Sequence, residues 1–288
     1  MQALRRTYYS LQRHLVNKNP ITFLYVALPC EAKPLVKHFR LKKQTNLPSF
    51  AIFRNENLCV TISGLGKTAM AAAVAYSQAL LGNSSNAVFL NIGIAGHKTY
   101  QPGKIFCVDK ITDGDSGKNF YPPLTANLPC PTQPLLTVSR VSSIYQENNL
   151  HDMEGSAFFE TAIRFTSSEL VQCLKIVSDN EDHGIEKINP ANAAQLISSS
   201  IDTLENLILE LSKLAAKINP VKEDLYSKLE NRWQLSSSNR KKLKNLLFNW
   251  QILTDNSALP AEILSCTNGK EFLLALEKAI DKWECYSL

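Results

Sequence analysis

The sequence predicts a three-layer α/β domain with a mixed, mainly parallel sheet, followed by a C-terminal helical appendage. Three observations predict it. Apolar, β-branched runs of strand length recur at Ile21–Leu28, Ala87–Ile92 and Val171–Val177, the first continuous rather than alternating, as in a strand buried on both faces. Helical stretches separate these runs, and alternating strands and helices pack as layers about a sheet. Beyond Asn219-Pro220 the strand pattern stops. Leu225, Leu229, Trp233, Leu243, Leu247 and Trp250 recur at helical spacing, and all three tryptophans lie in this stretch.

The elements follow in order. Ile21–Leu28 is the first strand, and Glu31–Phe39 reads as a short helix despite Pro34. Phe50–Arg54 and Leu58–Ser63 form a hairpin about Asn55-Glu56-Asn57. Thr68–Leu81 is a helix of small residues, suited to close packing on a sheet. Ala87–Ile92 ends in Gly93-Ile94-Ala95-Gly96, and Lys104–Ile111 is a further strand. A proline-rich loop from Tyr121 to Pro134 leads to the strand-like Leu135–Val141. Met153–Phe165 is helical, Val171–Val177 is a strand, and Pro190–Ile218 is one long amphipathic helix. The chain therefore divides into a basic N-terminal tail or helix (1–20), an α/β domain (21–220) and an appendage of about three helices (221–288).

Composition narrows the function. With 44% hydrophobic and 20% charged residues the chain is ordinary and globular, and its net charge of +5 suits an anionic ligand but not a nucleic-acid partner. No apolar run reaches the ~18 residues that span a bilayer. Residues 1–20 carry Arg5, Arg6, Arg13 and Lys18 and no acid. They lack the apolar core of a secretory signal, which leaves a transit peptide or a basic tail on a cytoplasmic protein. The seven cysteines are scattered, with no Cys-x-x-Cys, which points to buried reduced thiols. His14, His38 and His97 have no partners at ligand spacing, so no metal or other cofactor is expected. His151 and His183 fall near the expected pocket.

Gly64-Leu65-Gly66-Lys67-Thr68 joins a strand to a helix. A P-loop would need glycine at Thr61. A dinucleotide fold would fit Gly64-x-Gly66-x-x-Ala69 but also needs an acid about 20 residues on, and residues 57–108 contain no Asp or Glu. What remains is a glycine turn, either packing the helix closely on the sheet or presenting its amides to a ligand oxygen.

Four segments, Ala27-Leu28-Pro29-Cys30-Glu31, the glycine turn, His151-Asp152-Met153-Glu154-Gly155-Ser156-Ala157 and Lys175-Ile176-Val177-Ser178-Asp179, together resemble the purine nucleoside phosphorylase and methylthioadenosine/S-adenosylhomocysteine nucleosidase superfamily over residues 21–218. The resemblance implies the phosphorylase-type fold, a purine nucleoside ligand and a homodimer, with the appendage free to hold a partner protein. It implies that Asp179 gives a proton to the departing base, that Glu31 orients the attacking water, and that Glu154 binds the ribose hydroxyls with Met153 beneath the sugar. Gly64, Gly66, Ile94, Lys175 and Ser178 complete the implied substrate-binding set. Asp at 179 implies a 6-aminopurine. Carboxylates suit all these tasks, since they shuttle protons, carry negative charge and accept from a cis-diol. Read alone, each acid also fits a plainer place: Asp179 a helix cap, Glu154 a first-turn helix acid, Glu31 a surface helix acid.

The chain departs from the family pattern at four places. Ile94 stands where nucleosidases have Ser, Asn91 stands near the Arg of phosphorylases, and Lys175 replaces an Arg without its bidentate fork. The stretch from Tyr121 to Met153 is short, with Arg140 and Tyr145 the candidates for the missing aromatic wall over the purine. The expected activity is hydrolysis of a purine nucleoside or thionucleoside. Phosphorolysis and a non-catalytic nucleoside sensor or scaffold remain as alternatives.

Overall fold

The computed structural model describes residues 21–45, 47–81, 86–140, 148–218, 225–226, 229, 232–254 and 257–286. The expectations for residues 1–20 and Tyr145 lie outside the described residues, as does the side chain of Trp283. The chain forms two compact units, one up to Ala216 and one from Lys217. Among the described residues no helix is long and apolar enough to cross a membrane.

The first unit is built on ten strands: β1 (Thr22–Val26), β2 (Lys42–Lys43), β3 (Ala51–Arg54), β4 (Leu58–Ile62), β5 (Val88–His97), β6 (Ile105–Asp113), β7 (Asn119–Phe120), β8 (Thr132–Thr137), β9 (Leu150–Asp152) and β10 (Val171–Asp179). The helices are α1 (Pro29–His38), α2 (Lys67–Leu81), α3 (Gly155–Ala162), α4 (Pro190–Ser199) and α5 (Ile201–Ile218). In the sheet, β1 lies between β4 and β5, and β5 between β1 and β10, all parallel. The hairpin β3–β4 and the short β2 extend one side antiparallel. On the other side β10, β6, β8 and β9 continue the sheet, and β9 pairs back onto β5, so five strands close a ring.

Burial explains why these segments are strands. All five residues of β1 and all nine of β10 are buried, as in strands covered on both faces, and the polar members of β10 are buried with hydrogen-bonding or ionic partners. Phe23 and Tyr25 join a core with Met70 and Val74 of α2 and Phe158 of α3, while Leu24 and Val26, on the opposite face, are equally buried. Helices α1 and α4 pack together, as do α2 and α3.

Four boundaries differ from the sequence expectation, each for a local reason. The region 190–218 forms two helices, because Ser200 turns its amide and hydroxyl onto the Ile197 carbonyl and interrupts the ladder. Strand β5 runs on through Gly93-Ile94-Ala95-Gly96, held by β10 on one side and β9 on the other. His151 and Asp152 belong to β9, and the helix starts only at Gly155. Strand β8 starts at Thr132 and contains Pro134; its register on β6 slips between Val108 and Ile111, opposite the proline that cannot donate to the ladder.

The second unit holds α6 (Ser237–Leu253), α7 (Ala261–Leu264) and α8 (Gly269–Tyr286). It has its own apolar core, with Leu243, Leu247, Trp250, Ile263, Phe272 and Leu276 buried together. Trp233 packs on Phe272 at 4.9 Å between ring centres. Leu243, Leu247 and Trp250, read from sequence as recurring at helical spacing, are thus buried within the unit.

Candidate active site

Strands β1, β4, β5 and β10 are parallel, so their C-terminal ends lie along one edge. There a cavity of about 270 Å³ opens. Glu31, Ile94, Met153, Glu154, Ser178 and Asp179 all line it, as does His151. Three residues of the implied set do not. Gly64 and Gly66 flank Leu65, which forms part of the wall, and Lys175 is buried outside the lining. His183 is outside the cavity wall and pairs with Asn180.

Glu31 comes from the first turn of α1, where Pro29 occupies the first helical position, its fixed φ suited to the start of a helix. Its carboxylate turns back to the chain before the helix. Oε2 accepts from the amides of Ala27 and Leu28 at 3.0 and 2.9 Å, and Oε1 from the amide of Ile94 at 3.1 Å. Gly93 makes room for it, since a Cβ there would stand 3.2 Å from Oε1. Burial pushes the Glu31 pKa up, against the pull of the three amides and of the Lys175 charge.

Glu154 is the residue before α3. Its Oε1 accepts from the Gly66 amide at 2.7 Å. Gly64 and Gly66 have φ of +83° and +94°, so the turn that aims this amide needs two residues without a Cβ. Burial and the neighbouring Asp152 push the Glu154 pKa up to about 7, with Glu31 adding to the rise and Lys175 and the Gly66 amide opposing it.

Asp179 ends β10 and is buried. Its Oδ1 accepts from the Ser178 hydroxyl, which also reaches the Ala95 carbonyl. The carboxyl is thereby held at the cavity wall by its own neighbour.

Lys175 departs most from its expected place. Its ammonium is enclosed, 2.7 Å from Asp152 Oδ2 and 2.6 Å from Asn91 Oδ1, with the ion pair 1% exposed on each side. Burial opposes the charge, but Asp152 foremost among the neighbours holds its pKa above the ordinary value. Asn91 thus serves as a ligand of Lys175. Asp152, not singled out in the sequence, is the hub of the region: Oδ2 also accepts from the Gly155 amide at 2.8 Å, and Oδ1 from the Thr137 hydroxyl at 2.7 Å. A signal for it existed, since a lysine inside an apolar strand demands a carboxylate nearby.

The lining also includes Leu65, Val138, Ile185 and Ile188, all apolar and none chosen from sequence. Arg140 is not among the cavity residues. Among the described residues no group of three or more His, Cys, Asp or Glu is arranged to hold a metal ion.

No protein-family model matches the chain, and no curated protein matches it. Solved structures do match, nucleosidases among them. The apo 5′-methylthioadenosine nucleosidase of Arabidopsis thaliana has a TM-score of 0.56 at 19% identity, over 67% of this chain and 96% of that one. The methylthioadenosine/S-adenosylhomocysteine nucleosidase of Colwellia psychrerythraea, in complex with adenine, has a TM-score of 0.53 at 16% identity, over 67% and 96%. A futalosine hydrolase mutant of Helicobacter pylori has a TM-score of 0.53 at 12% identity, over 66% and 99%. The α/β unit thus shares its fold with nucleosidases that differ widely from it in sequence.

Proposed function

We infer that the chain is a purine nucleosidase-like hydrolase, cleaving the N-glycosidic bond of a purine nucleoside or thionucleoside. The observation that carries this reading is the convergence of Glu31, Glu154 and Asp179 on one cavity of about 270 Å³, near the size of a small-ligand pocket. The likeness to nucleosidase structures supports it, one of them holding adenine.

Asp179 protonates the departing base, its carboxyl oriented by Ser178. Glu154 takes the ribose hydroxyls on the carboxylate oxygen left free by Gly66, and Met153 lies against the sugar. Its negative charge, with that of Glu31, favours the oxocarbenium-like sugar that forms as the base leaves. Glu31 holds the attacking water.

Phosphorolysis fits less well. No Lys or Arg among the described residues lines the cavity, and Lys175 is already held by Asp152 and Asn91. One observation favours the non-catalytic sensor: Glu31 already accepts three backbone amides, and its neighbour Ile94 has no polar side-chain atom to hold a water. The test is incubation with adenosine, methylthioadenosine and inosine, with and without phosphate, followed by chromatography. Free base without phosphate is the expected result. Phosphate-dependent release would select the phosphorylase, and calorimetric binding without release would select the sensor.

A further inference from the structure

Lys67 follows the glycine turn, and the chemistry proposed above gives it no task. Its ammonium lies 2.8 Å from Asp113 Oδ2 and 2.5 Å from Asp115 Oδ2. Asp113 ends β6 and is held firmly there: its Oδ1 accepts from the amides of Asp115 and Ser116 and from the Ser116 hydroxyl. The Oδ2 that meets Lys67 also accepts from the Ser156 hydroxyl at 2.8 Å. Ser156 sits two residues after Glu154, and Glu154 accepts from Gly66, the residue before Lys67. These contacts close a ring that runs from Gly66 to Lys67, to Asp113, to Ser156, back along the start of α3 to Glu154, and so to Gly66.

The ring joins three segments distant in sequence at their polar ends. The Lys67 side chain is 22% exposed and that of Asp113 12%, so water screens this pair less than one at the open surface. A vicinal diol offers two hydroxyls at fixed spacing, and a carboxylate receives both well only if its plane is fixed. We propose that Lys67 is a positioning residue for Glu154: it locks the glycine turn onto Asp113, so that the Gly66 amide holds one carboxylate oxygen and turns the other to the ribose. This rests on the reading of Glu154 as the ribose acceptor.

The test is calorimetric binding of adenosine and of 2′,3′-dideoxyadenosine, which lacks the diol, to the full chain. The unaltered protein is expected to prefer adenosine. Lys67→Met is expected to lower adenosine affinity about tenfold, the scale of one charge-assisted hydrogen bond, with the dideoxy ligand little changed. Lys67→Arg keeps a cation within reach of Asp113 and should retain the preference. Equal weakening of both ligands by Lys67→Met, or no weakening, would overturn the proposal. If Lys67→Met fails to fold, Ser156→Ala opens the same ring at one hydroxyl; an unchanged preference there would overturn it as well. Should the unaltered protein bind neither nucleoside, the functional reading fails instead. The ring is then judged by urea unfolding of Lys67→Met, Glu154→Gln and the double variant. Non-additive stabilities support the coupling, and additive ones refute it.

Discussion

Lys175 Nζ lies 2.7 Å from Asp152 Oδ2, with each side chain 1% exposed. Glu31 and Glu154 both sense the same ammonium. One enclosed cation therefore answers three carboxylates, all of them on the cavity wall. Such a pair adds little net stability, but removing one partner strands the charge of the other.

Lys175→Met is accordingly expected to destabilise the fold by about 3–5 kcal/mol at pH 8. The loss should be smaller at pH 5, where the stranded acids can take up protons. Urea unfolding at the two pH values measures it. A loss below about 1 kcal/mol at pH 8 would mean that the carboxylates do not depend on the lysine.

Glu154 gives the opposite sign. Its pKa is raised from 4.5 to about 7 in the folded chain, set by burial, by Asp152 on β9 and Glu31 on α1, against Lys175 on β10 and the Gly66 amide. A raised carboxyl adds stability below its unfolded value and loses it as pH rises through about 7. Glu154→Gln should therefore be more stable than the parent at pH 8, by up to about 3 kcal/mol, with the gap closing near pH 5. Melting temperatures at both pH values test this. Nucleoside affinity in the parent should rise with pH through about 7, because the ionised form accepts the diol.

Asp179→Asn is expected to lower base release by about 10²–10⁴-fold while leaving the melting temperature within a few degrees. The amide keeps the shape but has no proton to give. Turnover at the parental rate would move the acid elsewhere.

Gly66→Ala meets no atom within 4 Å of the new Cβ, so its effect is one of backbone alone. At φ +94° an alanine should cost about 1–2 kcal/mol. It should also loosen the amide that Glu154 accepts from. Parental stability and affinity together would show that the turn does not need this conformation.

A fragment of residues 217–288 is expected to be helical and to unfold cooperatively, since its core is internal. Circular dichroism on heating decides it. A broad, non-cooperative loss of signal would show that the core is incomplete in isolation.

Much of the fold was legible because burial writes itself into composition. Strand β1, Thr-Phe-Leu-Tyr-Val, is buried on both faces and is apolar at four of its five positions. The hairpin β3–β4 was legible from its Asn-rich turn, closed by the Asn55 side chain on the amides of Asn57 and Leu58. Strand β9 was not, because its three residues are made a strand only by their pairing with β5 and β8. The three acids could be named through the family resemblance of the segments that carry them, since each read alone also fitted a plainer place. Asp152 had no role assigned from sequence, and only geometry shows that Lys175 meets it. The Ser200 break needed the same knowledge, since a hydroxyl within an apolar stripe does not announce which carbonyl it will choose.

The closed ring of β5, β10, β6, β8 and β9 has a consequence for how the protein meets its own copies. Unpaired strand edges invite other chains to add on, and a closed ring has none to offer. Among the described strands only β2 and β7 have a single partner, and each is two residues long. β2 is Lys42-Lys43, exposed and doubly charged, so a second molecule approaching that end meets like charge before it finds a free amide. The architecture that gathers the carboxylates at one edge thus also guards the sheet against growing into aggregates.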